Sequence, residues 1–347
     1  MHRLPRDQHA QRRQERGQHD QPHRNTVDRE VIVNVRRRDP LHVLLELEAK
    51  IPLGPVSGRI DHLAIDLRRQ FLSVAELGND SVGVIDVANR KLISTMRGFQ
   101  EPQGIGYEPS TDKLYIANAR DGSVRILRAD DLSLLGRIDL GDDADNVRID
   151  PQRGHVLVGY GKGALAVIDP KTRAKLADIP LRAHPEGFRI EPSGARAFVN
   201  VPDVGLIQVV DLAKGQAIGA FPTQGHHANF PMALDDGAQR ILIAFRSPPR
   251  LLVLSNTDGS AVADLDTCGD ADDLFVDAKR HRVYVICGAG GVDVFEDNAG
   301  AYRRIGQVGT APGARTGLFV PELDRLFVAV RAAGTEPAAI WVFKPVP

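Results

Sequence analysis

GIGYEPSTDKLYIANARDGSVRIL, from Gly104 to Leu127, sets three β-rich runs in a row with turn-forming residues between them. The first run, GIGYE ending at Glu108, has six counterparts: LAID ending at Asp66, NVRID at Asp150, GFRIE at Glu191, PMALD at Asp235, DLFVD at Asp277 and GLFVP at Pro321. Their last residues are separated by 42, 42, 41, 44, 42 and 44 positions. A period in the forties built from strand-like pieces marks a blade-by-blade β architecture and excludes a helical solenoid.

Each unit continues in the same way. A second run such as FLSVA at Phe71, LYIAN at Leu114 or VYVIC at Val283 is rich in the β-branched and aromatic residues that suit a packed, pleated surface. A third run follows, as in ALAVID ending at Asp169, and a more polar fourth closes most units, as in KLISTM from Lys91. Four strands per unit, with the outermost most solvated, predict an all-β, seven-bladed β-propeller of four-stranded blades. The seventh unit has only three runs before the sequence stops four residues after Phe343. LHVLLELEAKIPL, Leu41 to Leu53, reads as a lone strand, and it is expected to complete that last blade, closing the ring and removing exposed sheet edges.

Seven repeats of about 42 residues account for 41–347 as one domain. No run of eighteen apolar residues occurs, so no membrane span is expected. Residues 1–40 hold ten Arg, four Asp and two Glu, a net of +4, which leaves −5 for the rest of a chain whose net charge is −1. A mildly acidic body argues against nucleic acid as the partner. Residues 1–30 offer only Met1, Leu4, Ala10 and Val27 as apolar side chains, so this basic tail is expected to be disordered. It lacks the apolar centre of a signal peptide. The two cysteines, Cys268 and Cys287, fall in one blade; they are read as a pair of free, small hydrophobic residues, with a disulfide as the alternative. A structural zinc site is not expected, since there is no CxxC and no His/Cys cluster.

LYIAN at Leu114 to Asn118 followed by DGSVRIL, and SVGVIDVANRKLISTM from Ser81 to Met96, resemble the YVTN-repeat β-propeller family, whose YncE-like members are seven-bladed. The resemblance spans about 41–347 and implies the propeller fold, with ligand-binding and surface-associated roles among its members. It also implies export to the periplasm or beyond, although the chain departs from the family in its opening residues. A WD40 propeller is disfavoured: no Trp-Asp pair occurs, and Trp341 is the single tryptophan.

In a propeller the loops into the innermost strands converge on the mouth of the central channel. Those loops here carry Asp61, Gln103, Asp145, Glu186, Phe230, Asp272 and Thr316 at equivalent positions, with His62, Asn146, Asn229, Asp273 and Arg315 beside them. Four carboxylates, Asp61, Asp145, Glu186 and Asp272, are therefore expected around one opening, where hard oxygen donors from several loops would suit Ca²⁺ or Mg²⁺. Local capping of turns by Asp and Asn is the competing explanation. His184 and His227 fall in the same loops, and Arg59, Arg246 and Arg315 could meet an anionic ligand or neutralise the acids. His62 and Glu186 are the candidates for proton transfer. The acids closing the inner runs, such as Asp66 and Asp277, belong to the opposite face and are assigned to turns. GYGKG and GAGG precede no helix and read as hairpin turns, and no GxSxG or nucleophile triad is present.

These residues predict a binding or scaffold protein, expected as a monomer, that presents an acidic channel mouth to a small ligand, an ion or a protein. Residues for that role are Arg59, Asp61, His62, Gln103, Asn146, His184, His227, Asn229 and Arg315. The alternative is a divalent-metal-dependent hydrolase or lactonase of the gluconolactonase-like propeller type, in which a channel-bound metal polarises a carbonyl.

Overall fold

The computed structural model describes residues 43–347, and the basic tail expected over 1–40 lies outside them. Seven four-stranded antiparallel sheets form a β-propeller. Helix is limited, among the described residues, to three short 3₁₀ turns, Leu77–Asn79, Pro202–Val204 and Pro321–Leu323. No described helix is long and apolar enough to cross a membrane. The innermost strands, in blade order, are Leu63–Asp66, Pro102–Glu108, Ala144–Ile149, Phe188–Ile190, His227–Asp235, Ala271–Asp277 and Gly317–Val320. Six blades run outward from these in chain order. The seventh runs Gly317–Val320, Arg325–Val330, Ala339–Pro345 and then Leu45–Pro52, so the earliest described strand is its outer edge.

That latch follows from the sequence of both partners. Leu45 pairs with Pro345, Lys50 with Trp341 and Pro52 with Ala339. Lys50 Nζ lies 4.1 Å from the centre of the Trp341 ring, a cation–π contact. Arg325 donates to both oxygens of Glu48 at 2.6 and 2.9 Å, pinning the latch across 277 residues of chain.

Second and third strands are buried on both faces because blades stack face to face. Tyr115, Val124 and Ile126 of the second blade, for instance, pack on Val147, Val156 and Val158 of the third. Each such aliphatic side chain contributes roughly 1.5–3 kcal/mol by leaving water. The fourth strands face solvent, and Leu134 is 64% exposed there.

On the face away from the mouth, the acids closing the inner strands form the expected turns and carry a second device. Asp66 accepts the backbone N–H groups of Arg68 and Arg69 at 2.9 and 3.3 Å, and Arg69 then reaches the next blade, donating to Asp112 at 2.8 and 2.6 Å. Asp277, Arg280 and Asp324 repeat it between the sixth and seventh blades, at 2.6 and 2.8 Å. Between the third and fourth, Arg153 donates instead to the Gly194 carbonyl at 2.7 Å.

One expectation is overturned. Cys268 and Cys287 form a buried disulfide, with Cα atoms 5.8 Å apart. The segment entering the sixth inner strand and the end of the second strand meet on one side of the sheet, where Ala271 pairs with Cys287, and this brings the two thiols together.

Candidate functional site

The mouth is built by bulged strands as well as by loops. Between Pro102 and Ile105 the inner strand advances three residues while its partner advances two, from Asn118 to Ile116. The same extra residue occurs between Ala144 and Val147, Asn229 and Met232, and Ala271 and Asp273. Gln103, Asp145, Asn146, Asn229, Phe230 and Asp272 therefore lie in strands, where loops were expected. A bulge leaves one residue out of the ladder and re-aims its side chain, which is how these polar groups turn toward the channel. Gly104 makes the crowding possible, since a Cβ there would strike the Asp145 carbonyl of the neighbouring inner strand. Arg59, Asp61, His62, His184, Glu186, Arg315 and Thr316 stay in loops.

Two of the four mouth carboxylates are held by arginine. Asp61, fully buried, lies 2.7 Å from Arg59 Nη2. Asp272 accepts from Arg246 Nη2 at 2.6 Å, while Arg315 Nε approaches its other oxygen to 2.9 Å, off the line of a hydrogen bond. Arg246 also stacks over the Phe230 ring at 4.0 Å. His62 sits between two acids, with Nδ1 3.4 Å from Asp273 and Nε2 3.7 Å from Asp61. Burial works against its charge, but Asp273 and then Asp61 outweigh it and push its pKa up to about 10, so the ring is cationic at neutral pH.

Asp145 and Glu186 differ. No described guanidinium reaches either at ion-pair distance. Asp145 is only 5% exposed, and its Oδ1 has no hydrogen-bond partner. Burial, reinforced by Asp61 and opposed by His62, raises its pKa to about 6. Burial and the neighbouring Asp145 and Asp272 charges hold Glu186 well above the usual carboxylate range. Burial also raises Asp272, against the pull of Arg246. His184 completes the group: its Nδ1 lies 2.7 Å from the Gly161 carbonyl, which can only accept, so Nδ1 carries a proton and Nε2, 3.8 Å from Asp143, is the nitrogen able to accept or to ligate. One donor atom each from Asp145, His184 and Glu186 lie within 4.8 Å of one another.

Other candidates have structural partners. Gln103 accepts a long bond from Arg59 at 3.5 Å, and Asn146 Oδ1 accepts from Arg148 at 2.9 Å. Asn229 is buried, donating to Asn200 Oδ1 and the Leu206 carbonyl at 3.0 and 3.2 Å. His227 is exposed at the start of its strand. Two channel residues escaped the sequence reading, Arg148 and Arg189. Their signal was present: two positions before the last residue of the run, NVRID and GFRIE carry Arg where the other five runs carry Ala64, Gly106, Ala233, Phe275 and Phe319.

The chain thus defines a seven-bladed propeller whose channel mouth gathers buried acids, arginines and histidines. The sequence model of a family described as arylesterase matches residues 69–175, within the first three blades. No curated protein matches the chain in sequence. Among solved structures, a chain of the mitotic checkpoint complex superposes with a TM-score of 0.73 at 11% identity, covering 91% of this chain and 98% of that one. A chain of hydrazine synthase from Kuenenia stuttgartiensis gives 0.69 at 16% identity, covering 84% and 95%. At such identities the likeness is one of fold.

Proposed function

We propose that the mouth is a divalent-cation site and that the protein is a metal-dependent hydrolase acting on a carboxylic ester or lactone. The observation that carries this is the buried Asp145 oxygen without a partner, beside Glu186 and a His184 Nε2 presented by the Gly161 carbonyl. Carboxylates crowded enough to raise one another's proton affinity are stabilised by a cation among them. A backbone acceptor on the far nitrogen is the usual way a ligating imidazole is oriented. Two carboxylates and one imidazole suit Zn²⁺ or Mn²⁺ better than an all-oxygen Ca²⁺ or Mg²⁺ site, which would draw on Asp61 and Asp272, already engaged by arginines.

When bound, such an ion polarises a carbonyl and acidifies water. This chain's own groups supply the rest: His62, kept protonated by Asp273 and Asp61, offers a proton near the mouth, and Arg59, Arg246 and Arg315 hold Asp61 and Asp272 in place. The arylesterase match over residues 69–175 supports the reaction class. The strand motifs at Leu114–Asn118 and Ser81–Met96 support membership of the YVTN-repeat family.

Metal content of the purified protein, and melting curves with Zn²⁺, Mn²⁺, Ca²⁺ or EDTA, test the site. A native-state ligand at 100 times its Kd adds about 2.7 kcal/mol of stability. Asp145→Asn with Glu186→Gln should abolish that gain and, with it, hydrolysis of phenyl acetate and γ-lactones. If neither metal nor chelator moves the melting temperature, the site reading fails. Metal binding without turnover leaves the same mouth as a binding module, a reading favoured by the lack of a nucleophile triad.

A further inference from the structure

Beyond the mouth the channel changes character. At mid-height the inner strands of the third and fourth blades each carry an arginine, Arg148 and Arg189, and both donate to the Phe188 carbonyl, at 3.2 and 3.1 Å. Arg148 is held further by the Val147 carbonyl at 2.7 Å and Asn146 Oδ1 at 2.9 Å. Among the described residues, the Phe188 carbonyl is the one hydrogen-bond partner of the Arg189 side chain. Away from the mouth, the pair borders a cavity of about 360 Å³ with apolar walls that include Leu63, Ile105, Ile149, Phe275, Leu318 and Phe319.

Asp273 is the one carboxylate on that lining. It is already engaged, accepting the Gly317 N–H at 2.9 Å and facing His62 at 3.4 Å. Two guanidinium groups therefore meet a single committed acid. Burial lowers the proton affinity of both, and for Arg189 the Arg148 charge lowers it further. A guanidinium nonetheless stays charged at neutral pH, so the repulsion persists until an anion arrives. On the mouth side Arg148 and Arg189 also border a smaller pocket, which Glu186, Asp272 and Asp273 line as well.

We infer that this cavity binds a small carboxylate bearing an apolar chain, its head on Arg148 and Arg189 and its chain against Phe275, Leu318 and Phe319. The planar guanidinium matches a carboxylate in two-point geometry, which favours this head group. The volume falls at the lower end of small-molecule sites, about 300–1,000 Å³, and the apolar walls call for a ligand with a body. The inference stands apart from the metal site, since none of the three proposed metal ligands lines this cavity.

Octanoate, added to the purified full-length protein and followed by calorimetry and melting, is the test. One equivalent should bind and raise the melting temperature, with octan-1-ol and acetate each weaker by about tenfold or more. Arg189→Met should lose about tenfold or more of the octanoate affinity, Arg189→Lys should retain part of it, and Asp145→Asn should leave it unchanged. Octanoate that does not bind, or that binds no better than octan-1-ol or acetate, overturns the inference. So does an unchanged affinity in Arg189→Met, or a loss in Asp145→Asn. Should Arg189→Met fail to fold, the comparison of octanoate with octan-1-ol on the wild type still decides.

Discussion

Replacing His62 by Gln removes the cation that Asp61 and Asp273 share, and the pH dependence of stability should report it. Raising the imidazole from 6.5 to about 10 corresponds to roughly 5 kcal/mol, at about 1.36 kcal/mol per pH unit. Removing one partner of a buried ion pair costs about 3–5 kcal/mol, so the two routes agree in size. The native state binds this proton more tightly than the unfolded chain does. Its contribution is therefore complete below the unfolded value near 6.5 and is lost as pH rises through about 10. Urea unfolding at about pH 7 and about pH 10 should show the wild type losing roughly 4 kcal/mol more across that window than His62→Gln. The imidazole Hε1 resonance should titrate near the upper end of the window. Parallel stability profiles, or a resonance that titrates near the ordinary histidine value, would refute the caged-cation account.

The interblade clasps should act at the other end of the pH scale. Hydrogen bonds from Arg69 and from Arg280 hold Asp112 and Asp324 well below the usual carboxylate range, so their stabilisation is present above about pH 4 and fades as pH falls. Asp112→Asn and Asp324→Asn should each cost about 1–3 kcal/mol in neutral urea melts and flatten the acid limb; an unaltered limb would remove the clasps from the stability account. The Cys268–Cys287 bridge closes a loop of 19 residues. Cys268→Ala with Cys287→Ala should lower the unfolding free energy by roughly 3 kcal/mol, measured against the oxidised wild type, and equal stability would show that the bridge adds nothing.

The ring was legible from the sequence because seven units recur at a period in the forties and each is built of strand-like runs, the combination that belongs to propeller blades. The latch was legible because the last unit had only three runs while the stretch Leu41 to Leu53 had no partners nearby; the strand itself is Leu45–Pro52. The mouth was legible only as a set of residue types. Which acids meet arginine depends on side chains crossing between blades, as when Arg315 of the seventh reaches Asp270 and Asp272 of the sixth, and no local spacing records that. The disulfide was missed for a related reason. Its sequence separation says nothing of distance until strand register sets Ala271 opposite Cys287.

The bulges explain how one channel holds an acidic level at its mouth and arginines below it. A regular strand turns alternate residues to opposite faces, so two neighbours cannot both address the channel. Asp272 and Asp273 do so, the first meeting Arg246 and Arg315, the second His62 and the Gly317 amide. Across the ring, Asp145 joins the metal-capable group while the adjacent Asn146 braces Arg148. In both blades the extra residue serves the acidic level and its neighbour serves the cationic level beneath. Acids at the mouth and arginines below it would otherwise attract and collapse into simple pairs. Held by the bulges and by partners of their own, they leave Asp145 and Glu186 without arginine on one side and Arg189 without a carboxylate of its own on the other.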